Sequence, residues 1–239
     1  MLAYYYTYDF LRSRVAVAGA ARPFHHALDL VDAERFLGMY HERTIQQWLL
    51  PARGLMRGFI EFWNVYYGTI HFVVPALVFV WLYRRLPDRY PRWRNAWFAM
   101  NALALVSFAL WPLTPPRLMS AHFGFVDTAA TIGCPLMCSS AGHSAKEFGN
   151  LYAAMPSLHL GWSTWAALAV WRLTPRWWVR ALATLYPLVT LFDVVVTANH
   201  WILDGAGGVV FLGLGFAVSA PLTRWARDRA TTRPRAPAV

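Results

Sequence analysis

The chain has 239 residues, 57% of them hydrophobic and only 14% charged, with a formal net charge of +10. Soluble domains carry about a quarter charged residues, so this balance argues against an ordinary water-soluble domain and for a chain solvated by lipid. The basic residues cluster at the ends of apolar runs and form no basic stripe, which argues against a nucleic-acid partner and for anionic lipid head groups.

The first run, residues 2–21, is apolar and aromatic but interrupted by Asp9, Arg12 and Arg14. It reads as a short or tilted first span; its basic residues lie after its start, unlike those of a cleavable signal. Residues 25–58 mix apolar positions with Asp29, Asp32, Glu34, Arg35, Glu42 and Arg43, the pattern of one or two interfacial amphipathic helices.

Five later segments, 62–83, 96–113, 158–173, 181–198 and 202–222, approach the ~20 apolar residues that a spanning helix needs. Lipid leaves an isolated strand unsatisfied, so all of them read as helices. The predicted fold is all-α, a polytopic membrane bundle of about six transmembrane helices counting the first run. Pro75 is expected to kink the first clear span, and Gly205, Gly207, Gly208, Gly213 and Gly215 to permit close packing of the last. The predicted organisation is an interfacial N-terminal part (1–61), a transmembrane catalytic domain (62–222) and a basic disordered tail (223–239).

Charge orients the bundle. Arg84, Arg85, Arg89, Arg92 and Arg94 follow the first clear span, Arg172, Arg176 and Arg180 the third, and Arg224, Arg227 and Arg229 the last. The intervening loop 114–156 has only Arg117 and Lys146 as basic residues. The arginine side is therefore expected in the cytoplasm and the loop outside a plasma membrane. Arg35, Arg43, Arg53 and Arg57 run against that rule. Cys134 and Cys138 share the outer loop, where a disulfide and two free thiols both fit. A metal site with His143 has too few ligands, so neither metal nor cofactor is expected.

Three polar clusters fall on that outer side: 111–117, 155–159 and 199–204. His200 and Asp204 are four residues apart, which on a helix places them on one face. The carboxylate would take the Nδ1 proton and leave Nε2 as a nucleophile for phosphorus. Pro156 suits a helix's first turn, so Ser157, Leu158 and His159 would offer free N–H groups to an anion. Ser157 adds a hydroxyl, His159 a proton for a departing alkoxide, and Arg117 a planar fork of donors. Blander roles exist. His25, His26, His41, His122 and His143 read as solvated or packing residues. His71 lies near the start of a span and reads as packing, although it could approach the site. Asp204 alone could be a helix cap. The joint occurrence of these groups favours a phosphoester site.

At these residues the chain resembles the type 2 phosphatidic acid phosphatase (PAP2) superfamily, six-helix membrane enzymes related in their site to vanadium haloperoxidases. The family motif Pro-Ser-Gly-His is matched by Pro156-Ser157-Leu158-His159, and His-x-x-x-Asp by His200 and Asp204. The Leu variant is similar to the inositol phosphorylceramide synthase branch, inositolphosphotransferases that move a phospho-head group between lipids. The resemblance covers about 62–222. It implies His200 as nucleophile, Asp204 as its orienting partner, His159 as general acid and Ser157 as phosphate ligand.

Two features depart from the family pattern. Arg117 follows Pro115-Pro116 with no Lys at the matching position ahead of it, and Asp193 and Val194 stand where the family has Ser-Arg. Fewer fixed cations result, which favours the transferase-like branch. The expected function is a membrane lipid phosphoesterase or phosphotransferase working through phosphohistidine at the outer face. Its partners would be a lipid phosphate substrate, membrane lipids and a lipid or polyol acceptor. A plain phosphatase of lipid or polyprenyl phosphates is the alternative. Rivals of another class are a non-catalytic lipid-binding protein and a transporter.

Overall fold

The computed structural model describes residues 21–50, 55–132 and 152–232. The predicted first span before residue 21, the pair Cys134 and Cys138, and also His143 and Lys146 lie outside these residues. Among the described residues the structure is helical. The one pairing of extended backbone is an isolated bridge between Leu113 and Ala153.

Two short helices, α1 (Ala21–Phe36) and α2 (Glu42–Leu49), precede the long α3 (Leu55–Arg85) and α4 (Tyr90–Leu110). After the loop come α5 (Leu158–Leu173), α6 (Trp177–Val196) and α7 (Ile202–Thr232). Among the described residues three stretches are long and apolar enough to cross a membrane: Arg57–Arg85 of α3, Trp177–Val196 and Ile202–Trp225 of α7, each with a mean hydropathy of 1.7. Their lipid-facing sides are visible as exposed apolar residues at helical spacing. These are Val73, Leu77 and Val80 on α3, Leu182, Leu185 and Leu188 on α6, and Val210, Leu214 and Val218 on α7.

At 16 residues α5 spans about 24 Å, short of the ~30 Å hydrocarbon core. It is instead the central helix, packed against α3, α4, α6 and α7. Small side chains allow this. A Cβ on Gly208 of α7 would lie 2.1 Å from the Ser157 carbonyl oxygen, and one on Gly215 would lie 2.6 Å from the Ala96 carbonyl oxygen. Gly213 has open space around it, so close packing is confined to two of the five predicted glycines where backbone meets backbone.

The chain alternates direction through the bundle. Arg84, Arg85, Arg89 and Arg172 therefore gather at one end, and the polar clusters at the other. That polar end has its own core, in which Trp201 is fully buried with Leu30, Val31, Leu113, Met119 and Phe125. The Trp201 indole N–H donates to the Thr114 carbonyl at 3.0 Å. Thus α1 and the loop after α4 form a cap over the bundle where α6 passes into α7.

Candidate active site

The site is built at the break between α6 and α7. Ala198 adopts φ +54, a left-handed conformation that L-residues rarely take, and the chain reverses there. The N–H groups of Asn199 and His200 turn back to the Val194 carbonyl, at 2.9 and 3.2 Å. His200 therefore stands in the turn before α7, which starts at Ile202, while Asp204 lies in the first helical turn. The expectation that the two share a helix face is corrected in this detail, yet the pair still meets. His200 Nδ1 is 3.3 Å from Asp204 Oδ1. It is also 3.1 Å from the Ala154 carbonyl, the partner with hydrogen-bond geometry, so the carboxylate lies beside this bond.

Asp204 does a second job. Its Oδ2 accepts the N–H of Trp201 at 3.0 Å, the backward reach of a capping box. The next two N–H groups of α7 are taken by distant acids. Ile202 donates to Glu42 Oε1 and Leu203 to Glu34 Oε1, each at 2.8 Å. Both glutamates are fully buried. The sequence places them in an interfacial amphipathic segment, and nothing in it marks them as holding the turn that carries His200.

His159 opens α5 opposite, its Nδ1 3.2 Å from His200 Nε2. The helix begins at Leu158, the first residue of the expected segment 158–173, and not at Pro156. Ser157, with extended backbone, is the N-cap, and its hydroxyl oxygen accepts the Leu160 N–H at 3.5 Å. Pro156 is thereby placed outside the helix. Ser157 is fully buried and donates its own N–H to the Asp204 carbonyl at 2.8 Å. It is not among the residues lining the adjoining cavity.

That cavity holds about 290 Å³ and is bounded by Tyr67, His71, Trp162, His159, His200 and Arg117, with Phe72, Phe108 and Asn199 completing the wall. Among the described residues Arg117 is its one Lys or Arg. It sits in a 3-10 turn, Pro116–Leu118, anchored by its N–H to the Ala198 carbonyl at 2.9 Å, and its guanidinium donates to Asn199 Oδ1. Val194 is buried in the core beside Leu160 and Val195 and cannot stand in for a phosphate-binding cation. His26, read as packing, stacks on Trp111 with centroids 3.9 Å apart and bonds the Pro112 carbonyl.

His200, His159, Asp204 and Arg117 are thus brought to one place, with Ser157 just behind. Asn199 belongs to the polar cluster 199–204, whereas Tyr67, His71 and Trp162 are cavity residues outside the three clusters. Tyr67 and His71 are four apart in an apolar span, a spacing that was visible in the sequence.

Comparison with known proteins follows the same lines. A profile described as "PAP2 superfamily" matches residues 28–218. The chain is 23% identical over 170 residues to the inositol phosphorylceramide synthase catalytic subunit aur1 of Schizosaccharomyces pombe, a match covering 65% of this chain and 39% of that protein. The chain thus spans about two fifths of this curated relative's length. No solved structure matches the chain.

Proposed function

We propose that this chain, which belongs to the PAP2 superfamily, is a membrane phosphotransferase that works on lipid phosphoesters through a phosphohistidine on His200. The observation that carries this reading is the orientation of the His200 ring. Nδ1 faces a carbonyl and a carboxylate, so it holds the proton. Nε2 then carries the lone pair and faces His159 at the wall of a cavity that also holds Arg117.

The chemistry takes two steps. Nε2 attacks phosphorus as the bond to the leaving oxygen breaks, and His159 supplies the proton that oxygen needs. Arg117 neutralises a non-bridging oxygen, held in place by Asn199. In the second step a hydroxyl gives its proton to His159 and displaces the histidine. The aromatic walls of Tyr67, Phe72, Phe108 and Trp162 favour an organic acceptor over water, hence transfer over hydrolysis. Similarity to a catalytic subunit named for inositol phosphorylceramide synthesis supports the same direction. The positive-inside reading places this end of the bundle outside a plasma membrane.

The deciding experiment assays purified protein against a panel of lipid phosphoesters, with and without lipid or polyol acceptors. His200→Ala and vanadate serve as controls. Head-group transfer that both controls abolish supports the proposal. Phosphate release without transfer would make the protein a hydrolase, and activity that survives His200→Ala would sink the phosphohistidine.

A further inference from the structure

The chemistry above leaves one ring in the cavity wall unused. His71 projects from α3 and is 9% exposed. Its ring centroid lies 4.1 Å from that of His159, with planes inclined by 54°. Tyr67, one turn earlier, stacks on His159 at 4.3 Å and 19°. One face of α3 thus holds His159 against two rings.

Two nitrogens at this contact are buried and lack a hydrogen bond of normal geometry: His71 Nδ1 and His159 Nε2. The other nitrogen of His159 is engaged with His200. A buried polar atom left unmatched is costly, and here two such atoms sit on adjacent rings. At this centroid separation one shared proton can bridge the two nitrogens. Bridged in that way, the chain runs from His71 Nδ1–H to His159 Nε2, and from His159 Nδ1–H to His200 Nε2.

We propose that the general acid is the His71–His159 pair, with His71 a positioning residue that passes and shares its proton. The proposal rests on the phosphohistidine reading. A proton taken up at His71 Nε2 pushes the Nδ1 proton across to His159 Nε2, which makes His159 an imidazolium. In the first step the P–O bond breaks as the P–N bond to His200 forms, and the Nδ1 proton of His159 goes to the leaving oxygen. Both rings are then neutral, still joined by the Nε2–H of His159. In the second step the acceptor hydroxyl returns a proton to His159 Nδ1 as its oxygen displaces His200. Protons balance over the cycle. The ionisable groups facing the pair are Tyr67, His200 and Arg117, so an anionic phosphate on Arg117 is what makes the charged pair tolerable.

The test varies the leaving group. Wild type, His71→Phe and His71→Gln are assayed as full chains on an alkyl lipid phosphoester and on a p-nitrophenyl phosphoester, whose phenolate departs without a proton. The Phe variant keeps ring volume and is expected to lose about 10–100-fold in kcat on the alkyl ester with KM little changed, and less than about threefold on the aryl ester. Gln, which keeps one hydrogen bond, falls between. Equal losses on both esters, or no loss on either, overturn the proposal, and the Gln variant decides if the Phe variant does not fold. His200→Ala separates the two claims. Inactivity of that variant with no leaving-group effect at His71 sinks only the histidine pair, whereas residual activity sinks the phosphohistidine itself.

Discussion

Glu34 Oε1 accepts the N–H of Leu203 at 2.8 Å across a sequence separation of 169 residues. With Glu42 on Ile202 and Asp204 on Trp201, three carboxylates take the first three N–H groups at the start of α7. A helix N-terminus attracts negative charge, but three buried acids are more charge than one terminus offsets. Burial, and then the charge of Glu42, push Glu34 up from 4.5 to about 9. Its folded form is therefore the neutral acid at pH 7, hydrogen-bonded and uncharged.

This has a pH consequence. The folded state binds the Glu34 proton more tightly than the unfolded chain does. Its stabilising effect is thus complete below about 4.5 and is lost as the pH rises through about 9. Glu34→Gln keeps an acceptor for Leu203 and has no proton to lose. Melting of the detergent-solubilised protein should fall less steeply between pH 7 and 9.5 in that variant than in wild type. Parallel curves would contradict a protonated Glu34. Glu34→Ala removes the acceptor and should cost about 1–3 kcal/mol at pH 7.

Asp204 caps α7 and, in the proposed mechanism, also orients His200, and one substitution separates the two. Asp204→Asn still offers an oxygen to Trp201, so Tm should stay within a few degrees. The amide lacks the charge that favours a cationic His200 and can hold the wrong tautomer, so kcat should fall by on the order of 10²–10⁴. A variant that keeps its activity would show that the Ala154 carbonyl alone orients the ring.

Ser157 lies behind the cavity and caps α5, so its loss should register in stability. Ser157→Ala is expected to cost about 0.5–2 kcal/mol and to change KM for a lipid phosphoester by less than about twofold. A KM increase of tenfold or more with unchanged Tm would restore the serine as a phosphate ligand, the role implied by the motif.

Gly208 meets backbone, and backbone cannot step aside. An added Cβ would lie 2.1 Å from the Ser157 carbonyl oxygen and 3.0 Å from the Gly161 nitrogen. Gly208→Ala should therefore force α7 away from α5, costing about 1–3 kcal/mol or more and separating His200 from His159. Gly213→Ala, with open space around it, is the control and should leave both Tm and activity in place. Equal behaviour of the two variants would contradict the close approach.

Much of this protein was legible without coordinates. Continuous apolar runs of spanning length dictate helices, because lipid offers no partner for backbone N–H and C=O groups. The arginine clusters sort the ends of those helices, and the chemistry at the other end is written locally. His200 and Asp204 are close in sequence, and a four-residue separation lets them meet whether the chain is helical or turning. The same local character made Pro156-Ser157-Leu158-His159 readable as a helix start, although the serine, and not the proline, marks the entry.

Other features depend on contacts between residues far apart in the chain. Nothing local in Glu34 or Glu42 distinguishes a solvated acid on an amphipathic helix from a buried cap on a helix start more than 150 residues away. His71 reads as packing until α3 is laid beside α5, since a histidine's role depends on which nitrogen finds a partner. Ser157 reads as a phosphate ligand, and only the approach of α7 shows that it is buried and caps α5. The sequence by itself determined the solvent, the helices and the pairing of His200 with Asp204, all consequences of local pattern. Only the tertiary structure decided which polar groups are buried, and burial is what turns a glutamate into a neutral cap and a span histidine into part of the site.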